Sequence, residues 1–545
     1  MKKILSILLS AVIVLSVCAV NVFAADTTKT HCGGEGNCDC VPTIVIHGIS
    51  QSNVWLVDDN GDYVLDDDGN RIDVFPCYAD TGRIIKRAIF PVLLSLITQH
   101  DVDLSKALKD VADICFYMNM SDNSGNESKY ARLEEYPYSV AQCSEYEKEQ
   151  IFNHVPLQNI PEDHLYYFTY NSFGNNIQIV DRLYRYIEMV KEETGHDKIN
   201  IVPISLGGTV ANGLLEYYNG SYEGRPSVYD SIHKMIYIVP ALDGSSIVGD
   251  IFTKNITFLN KNYLYNGFLE GLMDENEARW IEIALRILPD EVLMKALNAT
   301  VDELAGNIFG SSTNMWALVP SADYEKAADM WLTSPEKAEI RRQTDMYHTA
   351  QVNSKKNILE LKKHGVQIFD IVDYNYPMYN IGNNWNKENA DGIIDVNSTS
   401  MGVHLANFGS KLPADYVQAN TFCTNPGHNH ISPDRVVDAS TGLLPDTTFY
   451  FGNQGHESTA DNDIIMALAK ELIRSDNIKD VYSDSRFPQF NGSRDIADTE
   501  EAKDPAVPEK ISRWLLNNFG TNGFSEYPVV ALKNIFTIIK GILCF

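Results

Sequence analysis

The stretch INIVPISLGGTVAN, residues 199–212, decides how this chain is read. Four mostly apolar residues run into Pro203, a single serine follows at Ser205, and Gly207-Gly208 open a second apolar run. An unbroken apolar run suits a strand buried on both faces, and paired glycines let a helix start close against it. The stretch therefore predicts strand, sharp turn and helix, with Ser205 on the turn. A serine held there stands clear of the backbone, open to a base on one side and to a substrate on the other. The new helix turns free N–H groups and its positive end toward the same spot, which makes the Leu206 N–H the expected oxyanion donor. The plainer alternative is a serine that only caps the helix.

Working outward, the same alternation continues. Residues 164–173 (HLYYFTYNSF) read as a strand, and Ile177, Val180, Leu183, Tyr184, Ile187 and Val190 recur at helical spacing up to Gly195. Strands follow at 234–240, 366–372 and 447–451, with a helix over about 459–474. Upstream, Pro42 to Ile46 is a short apolar run ending in His47-Gly48, a first buried strand. Alternation of this kind predicts an α/β fold: a mainly parallel sheet flanked by helices. The mostly helical segment 247–363 is too long for a crossover and reads as a large helical cap over the sheet edge. Residues 51–160 read as an insertion, with helical patterns at 83–99 and 103–116. Its aspartate-rich part, VDDNGDYVLDDDGNRIDV at 57–74, invites a calcium loop, but neither cluster has glycine at the sixth position, so a solvated hairpin is expected.

The chain has 545 residues, 44% apolar and 10% aromatic, which is ample for a large core. Its 44 basic and 73 acidic residues leave a formal charge of -29, which repels phosphate backbones and makes nucleic acid an unsuitable partner. Lys2-Lys3, an apolar run to Val20 and the spacing Val22-Phe23-Ala24 read as a bacterial-type secretory leader, 1–24, so export to the cell surface or medium is expected, with a lipoprotein anchor at Cys18 or an uncleaved membrane anchor as alternatives. Eight cysteines follow it: Cys32, Cys38, Cys40, Cys77, Cys115, Cys143, Cys423 and Cys544. Export permits disulfides, and the spacing does not reveal their connectivity. His31, Cys32, Cys38 and Cys40 crowd together, and Cys423 lies near His428 and His430, which raises zinc. No paired Cys-x-x-Cys set is present, so no metal ligand is assigned.

Four pieces resemble the α/β-hydrolase superfamily, and within it the bacterial lipases. IVIHGIS (44–50) is similar to their first strand and His-Gly oxyanion loop, and PISLGG (203–208) to their nucleophile elbow. VPALDGSS (239–246) resembles the segment leading into their cap, and DGIIDVNSTSMG (391–402) the loop bearing the acidic triad member. The likeness spans about 43–48, 164–250 and 366–475. It departs from the usual G-x-S-x-G elbow in having Pro203 first and Ile204 where many relatives have His. Proline is compact and has no N–H to leave unpaired there.

The resemblance implies a triad in the chain order Ser, acid, His. Beyond Asp391 the histidines are His404, His428, His430 and His456. His456, in GNQGHES after the strand TTFYF, occupies the position the fold gives its base, with His428 and His430 as alternatives. Asp391 is favoured as the acid over Asp373, which ends the strand 366–372. The implied oxyanion donors are the N–H groups of Ile49 and Leu206. No cofactor is required; relatives often bind calcium through an aspartate two residues after the histidine, where this chain has Ser458. The expected activity is ester hydrolysis on an acyl ester or lipid, with a thioesterase, an acyltransferase or a non-catalytic binding protein as alternatives. The expected organisation is a core over 25–246 and 364–475, the cap at 247–363, and a C-terminal extension at 476–545. In that extension, the polar residues of 529–545 fall on one side of a helix, which suits docking on the protein's own surface or on a lipid interface.

Overall fold

Short, fully buried apolar runs become one seven-stranded parallel sheet in the computed structural model, which describes residues 40–78, 80–256, 288–378 and 388–492. The leader, Cys32, Cys38, Cys544 and the 529–545 segment lie outside the described residues. In chain order the strands are β1 (Thr43–Ile46), β2 (Leu165–Phe168), β3 (Ile199–Pro203), β4 (Ile232–Ile238), β5 (Gln367–Tyr374), β6 (Thr448–Gly452) and β7 (Phe490–Asn491). Their order across the sheet is β7-β6-β5-β4-β3-β1-β2, and every pairing is parallel. The chain thus leaves β1 toward one edge, then crosses back to build the other side. At such a switch point the carboxyl ends of neighbouring strands splay open a crevice. Here that crevice lies between β1 and β3, which end side by side at Ile46 and Pro203.

Two helices set the crevice walls. Over Asn176–Thr194, α-helix formation follows the spacing of its buried residues Ile179, Val180, Leu183, Ile187 and Val190; Asn175 caps it by accepting from Ile177 and Gln178 N–H, and Gly195 ends it at φ 71°. The helix Gly207–Tyr217 is buried along its whole length. It can run so close to the strands because it starts with two glycines. A Cβ on Gly207 would meet the Ile46 carbonyl oxygen at 2.4 Å, and one on Gly208 would meet Pro240 Cβ at 2.8 Å.

The segment 247–363 differs from its expectation as a cap. Its last helix, Ala338–Lys363, packs along Gly207–Tyr217 and sends Tyr347, Ala350, Ile358 and Leu361 into the main core before leading into β5. That part flanks the sheet, because a buried stripe repeating every three to four residues finds its cover there. The helix Asp290–Glu303 instead joins two insertion helices, Thr81–Thr98 and Leu104–Phe116, through Leu104, Leu288, Val292, Leu293 and Ala296. The aspartate-rich stretch forms the expected hairpin ladder, with antiparallel bridges Val57 to Tyr63 and Leu65 to Arg71. Asp58 accepts from the N–H groups of Asn60 and Asp62, and Asp66 from those of Asp68 and Asn70, so each carboxylate closes its own turn. The sheet also runs past residue 475: β7 lies within the expected extension and pairs with β6. Cys77, Cys115, Cys143 and Cys423 are in no disulfide, and among the described residues no helix is long and apolar enough to cross a membrane.

Candidate active site

Ser205 sits where the sequence puts it, at the end of β3 on a turn with φ 51°. A non-glycine residue in that region costs about 1–3 kcal/mol and is held only by its surroundings. The surroundings are two strands: Ile204 N–H donates to Ile46 O at 2.9 Å and Ser205 N–H to Ile238 O at 3.0 Å. Pro203, lacking an N–H, falls in a break of the β3–β4 ladder, which pairs Ile201 with Met235 and resumes as a bridge between Ile204 and Ile238. The departure from the usual elbow is therefore absorbed locally.

The loop after β6 brings His456 over this serine. His456 Nε2 lies 2.9 Å from Ser205 Oγ, and its Nδ1 lies 2.7 Å from Asp391 Oδ2. The other Asp391 oxygen accepts from Ile393 N–H at 2.9 Å and Ile394 N–H at 2.7 Å, and His456 N–H donates to Asp391 O at 2.8 Å. His456 is thus tied to Asp391 through side chain and backbone. The acid loop is in turn docked on 239–246: Ser398 Oγ donates to Gly244 O at 2.7 Å, Ser245 Oγ to Ile393 O at 2.6 Å, and Ser246 Oγ to Asp395 at 2.8 Å. Two stretches far apart in sequence hold each other in place.

Asp373 is nearby but differently placed. It is fully buried at the end of β5 and takes a hydrogen bond from Thr459 Oγ1 at 2.5 Å. Burial pushes its carboxyl well above the ordinary range, with only partial relief from Thr459. His456 Nδ1 is taken by Asp391, not by Asp373. His428 and His430 lie in the segment before β6, at the opposite end of that strand from His456, and His404 pairs with Asp438 in a small surface ladder.

On the other side of Ser205, His47 organises the loop that carries Ile49. Its ring is buried and stacks on Tyr170 at 4.1 Å, its Nε2 accepts from Tyr170 N–H at 3.1 Å, and its Nδ1–H is left to donate to Gly48 O. Burial drives the imidazole down to about 3, so it is a neutral structural group and not a second base. Gln51 Oε1 accepts from Gly48 N–H at 2.7 Å. The N–H groups of Ile49 and Leu206 donate to no protein acceptor among the described residues. A Cβ on Gly48 would crowd the elbow, standing 3.0 Å from Ser205 Cβ.

The cavity over Ser205, about 110 Å³, is lined by Gly48, Ile49 and His456 and by a mostly apolar wall. That wall includes Ile204, Val239 and Met466, together with Val155 and Pro156 from the end of the insertion. No residue of 288–363 lines it. The sequence reading missed Gln51 and the 154–156 wall. The helix Glu145–His154 does carry a capping box at Ser144 and Glu147 that marks where the insertion re-enters the fold, though nothing in it signals a pocket.

Burial would lower the His456 imidazole, but the Asp391 charge and hydrogen bond outweigh it and the net shift is upward. A base works only when unprotonated. The acidic limb of the kcat/KM profile is therefore expected above 6.5, the ordinary histidine value, and Asp391→Asn should move it down. A pH profile on a soluble ester, showing a limb below that value for the wild type, would contradict this.

Compared with known proteins, the chain matches no family model and no curated protein. Among solved structures it matches the crystal structure of the Tle4-Tli4 complex at 13% identity and a TM-score of 0.26, over 79% of this chain and 97% of that one.

Proposed function

We propose that the protein is an exported serine hydrolase of the α/β-hydrolase superfamily that cleaves carboxylic esters in the manner of a lipase. The observation that carries this is the contact chain Ser205 Oγ, His456 Nε2, His456 Nδ1 and Asp391 Oδ2, built on a strained elbow with φ 51° at Ser205. Ser205 Oγ attacks the ester carbonyl as His456 Nε2 takes its proton, and the Ile49 and Leu206 N–H groups hold the oxyanion. The alcohol departs with the proton from His456. Water, deprotonated by the same nitrogen, then releases the acid and restores the serine. The apolar cavity wall supports an acyl chain as the group bound beside Ser205. Export rests on the leader at 1–24.

The test is labelling of the full chain by a fluorophosphonate, with hydrolysis of p-nitrophenyl butyrate and palmitate measured in parallel. Labelling at Ser205 with turnover of either ester is the expected result, and the ratio of long to short chain divides lipase from esterase. A folded protein inert to both would leave a non-catalytic binding protein as the better reading.

A further inference from the structure

The segment between the acid loop and β6 gathers Cys423, His428, His430 and Asp446, whose ligand-capable atoms all lie within 4.8 Å of one another. We infer that these four side chains form a structural zinc site, independent of the ester-cleaving centre. A tetrahedral zinc with bonds of about 2.0–2.3 Å spaces its ligand atoms about 3.3–3.6 Å apart. Cys423 Sγ is 3.6 Å from His428 Nδ1, and His430 Nε2 is 3.3 Å from Asp446 Oδ1. One sulfur, two imidazoles and one carboxylate at those distances suit zinc better than calcium or magnesium, which prefer oxygen alone.

The surroundings fix the protonation that a ligand needs. Gln489 Nε2 is committed to the carbonyls of Pro445, at 2.7 Å, and Thr448, at 3.3 Å, so its Oε1 must face His430 Nδ1, at 2.7 Å. Nδ1 is then the protonated nitrogen. The Nε2 lone pair, fully buried and without a hydrogen-bond partner, points at the Asp446 carboxylate. At that range either a second proton makes an imidazolium paired with Asp446, or the lone pair and the carboxylate share a metal cation, and the nearby Cys423 thiol and His428 ring favour the metal. Gln418 pins the same loop, accepting from His430 N–H at 2.6 Å and donating to His428 O at 3.1 Å. The Tyr482 ring covers His428 at 4.5 Å. Such outer partners are what hold metal-ligating histidines in orientation.

One contact must change on binding. His428 Nδ1–H now donates to Asp446 Oδ1 at 2.8 Å, while its Nε2 faces the exposed Asn425 amide nitrogen at 2.8 Å. Coordination through Nδ1 moves the proton to Nε2, and the Asn425 amide turns to accept it. The four protein ligands fill the coordination sphere, as in closed structural sites. Asp446 precedes β6 and Gln489 precedes β7, so the ion would tie the loop to the amino ends of the edge strand β7 and its neighbour β6, away from Ser205.

The test uses the full chain, stripped with a chelator, desalted and titrated with zinc and then with cobalt(II). The expected result is one equivalent of zinc, a rise in Tm on zinc addition, and a thiolate-to-cobalt charge-transfer band. Cys423→Ser combined with His430→Gln should abolish the band and the equivalent. Asp446→Asn, at a half-exposed position, should keep the fold and weaken zinc binding at least tenfold. The assignment is overturned if the stripped wild type, still folded by circular dichroism, takes up no zinc. It is equally overturned if the variants bind as the wild type does, which would send the metal to His31, Cys32, Cys38 and Cys40.

Discussion

Replacing Ser205 with alanine is expected to lower kcat for ester hydrolysis about 10⁶-fold, the scale seen when a triad nucleophile is removed. The loss is that large because no second nucleophile is poised: His47 is buried, neutral and spent on Tyr170 and Gly48. Alanine accepts the left-handed backbone at φ 51° no worse than serine does, so the elbow should persist. The fold loses one partly buried hydrogen bond to His456, a change of about 1 kcal/mol or less in stability. The measurement is burst and steady-state hydrolysis of p-nitrophenyl butyrate beside a thermal melt. A variant that melts normally yet keeps activity within tenfold of wild type would remove Ser205 from the chemistry.

How much of this site could be read from the chain depends on whether the signal is local. The elbow was legible because one short stretch carries the whole device: buried strand, serine, and two glycines whose absent Cβ atoms leave room for Ile46 O and Pro240. His456 was legible because a fold with strand, loop and helix in that order leaves its base few positions. The pocket wall was not. Val155 and Pro156 reach the cavity from an insertion whose own pattern says only hairpin and helices, and the contact exists solely because the chain returns across the sheet. The helix 338–363 was misplaced for a similar reason, since an amphipathic stripe declares that it needs a partner and not which one. β7 is two residues long and too short to show any periodicity. Cys423, His428 and His430 were visible as a cluster, but Asp446 joins them only through the fold.

Asp391→Asn and Asp373→Asn should behave oppositely, and their contrast decides which acid serves the base. Asp391 Oδ1 accepts two backbone N–H groups, those of Ile393 and Ile394, so an asparagine there must keep its oxygen toward them. Its NH₂ then faces His456 Nδ1 and donates to it. The imidazole is forced into the tautomer with the proton on Nε2, the nitrogen 2.9 Å from Ser205 Oγ, and cannot accept the serine proton. A loss of about 10⁴ in kcat is expected, as wrong-tautomer triads show. Asp373→Asn keeps the shape of a side chain that does not hold His456. Its oxygen still accepts from Thr459 Oγ1, the His456–Asp391 contact is untouched, and kcat should stay within about tenfold. If Asp373→Asn were the damaging change and Asp391→Asn the mild one, the anion would have to be Asp373, and the two N–H groups on Asp391 would be holding a turn rather than a catalytic carboxylate.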